Sequence, residues 1–384
     1  MNARLSKLLC LMLIIVLVLS ACASSGEAGI LSTTQPSTLG SAPTTTPPAT
    51  IPSVTEPPQT EPPVPPPVVT QITMTFVGDC TFGRNQKAAY ENSFDQYYDK
   101  KGPDYFLSRV RHIFEQDDIT VINLEGSLTT STDIQEKLWN HKGDPEYVKI
   151  MTGSSVEVAT MGNNHRLDYG PSGCEETVEV LEEAGITYCY DGIYAAYEVE
   201  GIKVGVVSVN EVYDGRSVEK WLKEGYQVLR DQGCAIVVAC VHWGGDKTPV
   251  IEDYQIELGH KLIDLGYDLV VGNHPHVLQA MEIYNGKFIC YSLGNFCYGG
   301  NKNPADKDSG IFQQTFTLVD GELVPNFDAR FIPCYLSGSK SKNDYRPTLA
   351  EGEEFQRIIK KINGYSERFG FALGPDGKPL PPTE

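Results

Sequence analysis

Two histidines flank a proline in VVGNHPHVLQ, residues 270–279, in a chain with only seven histidines. Paired imidazoles are a common way to offer nitrogen ligands to a metal ion. Val270 and Val271 close a β-branched apolar run that reads as a buried strand. Pro275 bars helix and biases His274 toward extended backbone. In extended chain, residues i and i+2 share one side. His274 and His276 are then expected to face one point, as a shared metal ion requires. The alternative is a pair of unconnected turn histidines.

Polar clusters of the same kind recur. TFVGD ends in Asp79, VINLEG carries Glu125, VATMGNNH ends in Asn164 and His165, and VVACVHWGG carries His242. Each follows an apolar, strand-like run. Ligands of open α/β sheets bind beyond the carboxyl ends of the strands, so these clusters predict one shared site. Carboxylate, carboxamide and imidazole suit Mn, Zn or Fe, with no thiolate needed. The candidate ligands are Asp79, Glu125, Asn164, His242, His274 and His276. They are too many for one tetrahedral ion with an open position. They suit two divalent ions sharing a carboxylate, an arrangement that stabilises attacking and leaving oxygens at phosphorus. Asp168 follows His165 by three residues, within reach across a helical turn, and is placed to orient an imidazole. His112, His141 and His260 lie off this pattern, with His112 and His260 expected on helix surfaces. Asn295, in SLGNF, either supports the site or shapes a turn.

The elements that must position these groups alternate between strand and helix. Strands are expected over 72–77, 119–125, 156–161, 202–209, 234–241 and 267–271. Further strand runs are expected at 311–318 and 329–333, and a hairpin turns at Asn285-Gly286. Helices are expected over 104–116, 171–185 and 252–266, and an amphipathic one over 350–369. The pattern is α/β, a mixed sheet core flanked by helices.

Only part of the chain reads as folded. Residues 1–21 have the basic start and apolar core of a secretory signal. Residues 22–70 are rich in Ser, Thr and Pro and bury too little apolar surface to offset their ordering entropy. They read as a disordered spacer, whose extended part spans on the order of 120 Å. The folded part then runs over 71–340, and 341–384 carries a helix and a tail. A net charge of −19 argues against a nucleic-acid partner. Eight cysteines beyond Cys10 and Cys22 form no C-x-x-C pair, which argues against a thiolate zinc site. Cys80 is expected to face away from Asp79 and pack. There is no G-x-x-x-x-G-K-[ST] phosphate loop.

Taken in order, GD (78–79), NLE (123–125), GNNH (162–165), HWG (242–244), GNHPH (272–276) and YSLGNF (291–296) resemble the CapA-type capsule-synthesis family. That family is associated with poly-γ-glutamate and is similar to calcineurin-like metallophosphatases. The resemblance covers about 71–335. It implies a metallophosphatase-like layered α/β fold, with Glu125 bridging two metal sites. Asp79 and His276 would complete one; Asn164, His242 and His274 would complete the other. His274 and His276 would thus serve different ions. His165 would face the substrate as a catalytic group, with Asp168 behind it. One departure stands out: the phosphatases carry Asp-x-His, and here the third place is Thr81, a poor ligand. Leu19-Ser20-Ala21-Cys22 resembles a lipobox, which implies lipidation at Cys22. The expected location is extracytoplasmic, lipid-anchored to the bacterial cell membrane. The expected partners are an anionic envelope polymer or its synthesis machinery. The sequence leaves open whether the site hydrolyses a phosphoester in envelope material or binds polymer without turnover.

Overall fold

The computed structural model describes residues 65–381. The signal segment, Cys22, most of the spacer and residues 382–384 lie outside the described residues. Among the described residues, no helix is long and apolar enough to cross a membrane.

Two sheets, one of nine strands and one of six, make the core. In the first, β1 (Val69–Thr81), β2 (Ile119–Leu124) and β3 (Val158–Thr160) run parallel. The other side of β1 pairs with the antiparallel strand Asp308–Val319, which pairs in turn with Ala329–Tyr335. In the second sheet, β4 (Ile202–Asn210), β5 (Ile236–His242) and β6 (Leu269–Asn273) run parallel. A short strand, β7 (Asn295–Tyr298), joins the end of β1 in parallel.

Strand periodicity explains the layers. Alternate residues of a strand point to opposite faces, and parallel strands buried on both faces read as unbroken apolar runs. Val204, Val206, Val238 and Val271 of the second sheet pack with Ile72, Met74 and Phe76 of β1. Their neighbours Val207, Val209, Val237, Ala239 and Val270 pack on the other side, toward helices α2 (Val218–Asp231) and α3 (Asp253–Leu265). Helix α1 (Gly170–Glu183) buries Cys174 and Leu181 in a third cluster with Ile122, Leu124 and Ala159 of the first sheet. The result is the layered α/β architecture expected: mixed sheets inside, helices outside.

Several elements differ from expectation. β1 continues past residue 77 to Thr81, so Asp79 lies within a strand and not in a loop after it. The helix expected over 104–116 is only a 3₁₀ turn at Pro103–Tyr105 and one helical turn at Arg111–Phe114. Its apolar residues Phe106, Val110, Ile113 and Phe114 are all buried, so burial, not helical periodicity, explains their spacing. The hairpin does turn at Asn285-Gly286, both with positive φ, as a two-residue loop of this type requires. The C-terminal helix, α4 (Gly352–Ser366), packs into the core. Its Ile358, Ile359 and Ile362 share the cluster that holds Met74 and Phe76. Truncating any one of them should cost about 2–5 kcal/mol.

Candidate metal centre

Strand register assembles the site. Asp79 pairs with Asn123 across β1 and β2, and His242 pairs with both Asn210 and Asn273 at the ends of β4, β5 and β6. The parallel strands of both sheets thus deliver their carboxyl ends to one place. Glu125 follows β2 directly, and its backbone N–H donates to the Cys80 carbonyl at 2.8 Å.

The structure brings the expected residues together. Glu125, His242 and His274 place one ligand atom each within 4.8 Å of one another, and so do Asp79, Glu125 and His276. Glu125 belongs to both groups. Asn164 joins the first group: its Oδ1 lies 3.0 Å from His242 Nε2, which in turn is 3.2 Å from His274 Nδ1. In the second group, His276 Nδ1 is 3.1 Å from Asp79 Oδ2 and 2.9 Å from Asn295 Oδ1. Asn295 also donates to the His276 carbonyl at 3.1 Å, so it braces the site.

Glu125 is the most informative group. It is fully buried, and among the described residues neither carboxylate oxygen has a hydrogen-bond partner. Its Oε1 has three imidazole Nε2 atoms around it: His276 at 3.6 Å, His242 at 3.8 Å and His165 at 3.9 Å. These are too far for hydrogen bonds. A buried carboxylate left this way is costly unless it meets a cation. Ligands held about 2.1 Å from one ion lie about 3.0–3.4 Å apart, close to the Asn164–His242–His274 spacings. The donor set and its orphaned carboxylate therefore fit a divalent ion.

The electrostatics of the first group's imidazoles suit a metal. Burial, reinforced by neighbouring imidazoles, holds His242 well below the usual histidine range, and burial lowers His274 to about 4. Both are neutral at pH 7, the form that ligates metal. Burial pushes Glu125 up to about 8. Burial also opposes the charged form of His276, but Glu125 and Asp79 outweigh it and raise His276 to about 10. Asp79 is kept below its usual value despite burial, because His276 bonds to it.

The backbone around Pro275 is not extended. His274 and His276 have φ of +96° and +59°, conformations that cost non-glycine residues on the order of 1–3 kcal/mol each. The expected extended geometry is thus overturned, because the two residues turn to address different groups. Gly272, just before, is obligatory for contact reasons. A Cβ there would sit 2.0 Å from the Tyr291 carbonyl oxygen and 2.2 Å from Trp243 Nε1.

His165 and Asp168 also meet. His165 Nδ1 lies 2.7 Å from Asp168 Oδ2. Burial, aided by the Lys137 charge, holds His165 well below the usual range, and burial pushes Asp168 up to about 6. Thr81 is buried, and its hydroxyl has no hydrogen-bond partner among the described residues. Cys80 is buried among Val77, Phe82 and Cys297.

Sequence reading missed several participants. Asn123 Nδ2 donates to Asp79 Oδ1 at 2.8 Å, and Asn163 Nδ2 donates to Asn123 Oδ1 at 3.1 Å. Asn123 sits one residue before the strand end of NLE, a signal that pointed only to Glu125. His141 is buried with its ring 4.2 Å from that of His165; nothing in NHKGDP marks it. His260 is half-buried and paired with Glu282 at 2.8 Å, not a free surface residue.

The fold and site define a layered α/β protein built around a buried imidazole–carboxylate cluster. A family model described as "Bacterial capsule synthesis protein PGA_cap" matches residues 73–299, more than half of the chain. The chain belongs to this family. It is 26% identical over 275 residues to the capsule biosynthesis protein CapA of Bacillus anthracis, covering 63% of each chain. It is 27% identical over 248 residues to the PGA biosynthesis protein CapA of Bacillus subtilis (strain 168), covering 59% of this chain and 63% of the relative. The chain thus spans 63% of the length of both Bacillus relatives. A probable polyglutamine synthesis accessory protein of Mycobacterium tuberculosis matches at 27% identity, over 67% of this chain and 74% of its own. Among solved structures, the NAD nucleotidase NadN of Haemophilus influenzae covers 77% of this chain and 56% of its own, with 12% identity and a TM-score of 0.38. A likeness at that level says nothing of this chain's chemistry.

Proposed function

We propose that this chain is a cell-surface lipoprotein that assists synthesis, export or retention of a capsule-like poly-γ-glutamate through a divalent metal centre. The observation that carries the metal reading is Glu125: buried, without a partner, and faced by three imidazoles. Glu125 would be shared by two ions. Asp79 and His276 would complete one site, and Asn164, His242 and His274 the other. The metal, Mn, Zn or Fe, would supply charge at an anionic group that this acidic chain otherwise lacks. Family membership and the names of the relatives support the capsule role. The lipobox-like Leu19–Cys22 supports anchoring on the extracytoplasmic face. The test is deletion of the gene, with complementation by wild type and by His274→Ala. Surface polymer is expected to fall on deletion and to return only with wild type. Unchanged polymer after deletion refutes the capsule role.

A second reading makes the site a metal-dependent phosphoesterase acting on envelope material. His165 favours it, with Nε2 turned to Glu125 and Asp168 behind the ring. Purified full chain loaded with Mn or Zn is expected to turn over members of a phosphoester panel, and His165→Asn to lose that turnover. Metal uptake with polymer binding but no turnover would instead identify a non-catalytic binding module.

A further inference from the structure

Between the short strands Ser127–Leu128 and His141–Gly143 the chain runs irregularly for residues 129–140. Irregular loops of this length inside a compact domain usually serve a function. Thr130 at its start bonds to Glu176, and its later part is fastened to Asp168 and Asn164. Gln135 N–H donates to the Asp168 carbonyl at 2.9 Å, and Asn140 Nδ2 donates to the same oxygen at 3.4 Å. The backbone N–H of His141 donates to Asp168 Oδ2 at 2.5 Å. The Lys137 ammonium ion-pairs with Asp168 Oδ1 and donates to the Asn164 carbonyl at 2.7 Å. Asp168 itself is fully buried.

We propose that Lys137 is a positioning residue for the candidate centre: it latches the 129–140 segment onto Asp168 and, through Asp168, fixes the ring of His165. This rests on the metal-centre reading above. A carboxylate only accepts hydrogen bonds, so His165 Nδ1 must donate to Asp168. In the neutral ring, Nε2 then keeps its lone pair, and that atom is 3.9 Å from Glu125 Oε1. Asp168 can play this part only while ionised, and a buried carboxylate without a cation is strongly disfavoured. Lys137 supplies that cation. The His141 ring packs against that of His165, 4.2 Å between centroids and tilted by 40°. Lys137 is only partly exposed, with its side chain 22% accessible, so its charge is screened less than that of a surface lysine.

The test reads the ring directly. Long-range proton–nitrogen spectra of the metal-free full chain report the imidazole tautomer, with His165 assigned by its loss in His165→Gln. Wild type is expected to show His165 as a single Nδ1–H tautomer. Lys137→Met is expected to show a mixture, and Lys137→Arg to recover the wild-type form. If Lys137→Met does not fold, Lys137→Gln, which keeps a donor but no charge, takes its place. On any phosphoester the wild type turns over, the neutral variant is expected to lose about 10–100-fold in kcat with KM little changed, as for groups that orient a ligand from behind. An unchanged His165 tautomer in the neutral variant overturns the proposal, as does equal loss in the Arg and Met variants. If wild type turns over nothing with any metal, the phosphoesterase reading falls. The tautomer still decides the role of Lys137.

Discussion

His274 and His276 are separated by one proline, their ring centres are 5.6 Å apart, and their imidazoles enter different ligand groups. His274 stands beside His242, and His276 beside Asp79. Glu125 is the member common to both. If each group holds one ion, the shared carboxylate and the two imidazoles have different signatures. After loading with manganese or zinc and desalting, His274→Ala and His276→Ala are each expected to retain about one fewer equivalent than wild type. Glu125→Gln is expected to lose both. Elemental analysis decides, and full metal content in His274→Ala removes its assignment.

Ligand binding to the folded state alone stabilises it by mass action, by about 2.7 kcal/mol at a hundredfold excess over Kd. Thermal unfolding of the wild type should therefore shift upward by several degrees on adding manganese or zinc, and fall back with chelator. Glu125→Gln should show no shift with either. A metal response that survives this substitution would place the ion elsewhere.

The charge network on α4 gives a pH signature outside the two ligand groups. Arg357 grips Asp308 through two hydrogen bonds, of 2.6 and 2.8 Å, and Lys361 adds one at 2.8 Å. Burial opposes the charge on Asp308, but these cations outweigh it and hold its carboxyl below the usual value. A depressed carboxylate contributes fully above its unfolded pKa of about 4 and loses that contribution as pH falls through its own lower value. Arg357 is about half exposed, so screening moderates the gain. Asp308→Asn should cost about 1–2 kcal/mol at pH 7, with the gap in melting temperature closing as pH falls below about 4. A gap that persists undiminished at low pH would show the loss to be steric.

Gly78 tests how the sheet carries the site. A Cβ there would lie 1.9 Å from the Gly294 carbonyl oxygen, the atom that accepts the Asp79 N–H at 2.9 Å. Gly78→Ala must push β7 away from β1. It should destabilise by about 3 kcal/mol or more and weaken the second metal group, since Asn295 of β7 braces His276. Wild-type melting and full metal content in this variant would refute the contact.

Much of this was legible before any coordinates. The strands ending at His242 and Asn273 showed as β-branched apolar runs because parallel strands are buried on both faces. Polar residues at those ends stood out because nothing polar precedes them in the run. The helix expected over 104–116 failed for the same reason in reverse: buried residues of irregular chain mimic helical spacing. His141 and Lys137 gave no signal, because their roles depend on Asp168, more than twenty residues away in the chain.

The sequence by itself determined the α/β class, the strand ends that bear chemistry, and the donor types, since these follow from local periodicity and side-chain chemistry. Tertiary structure decided which donors stand together in each group. That depends on register: pairing Asp79 with Asn123 and His242 with Asn273 sets which groups can meet across two sheets. It also decided the turned backbone at His274 and His276, which Pro275 alone would not predict. Local rules bias that backbone toward extension, and only the packing of Gly272 beneath Trp243 and Tyr291, with contacts to Asp79 and Asn295, holds it otherwise.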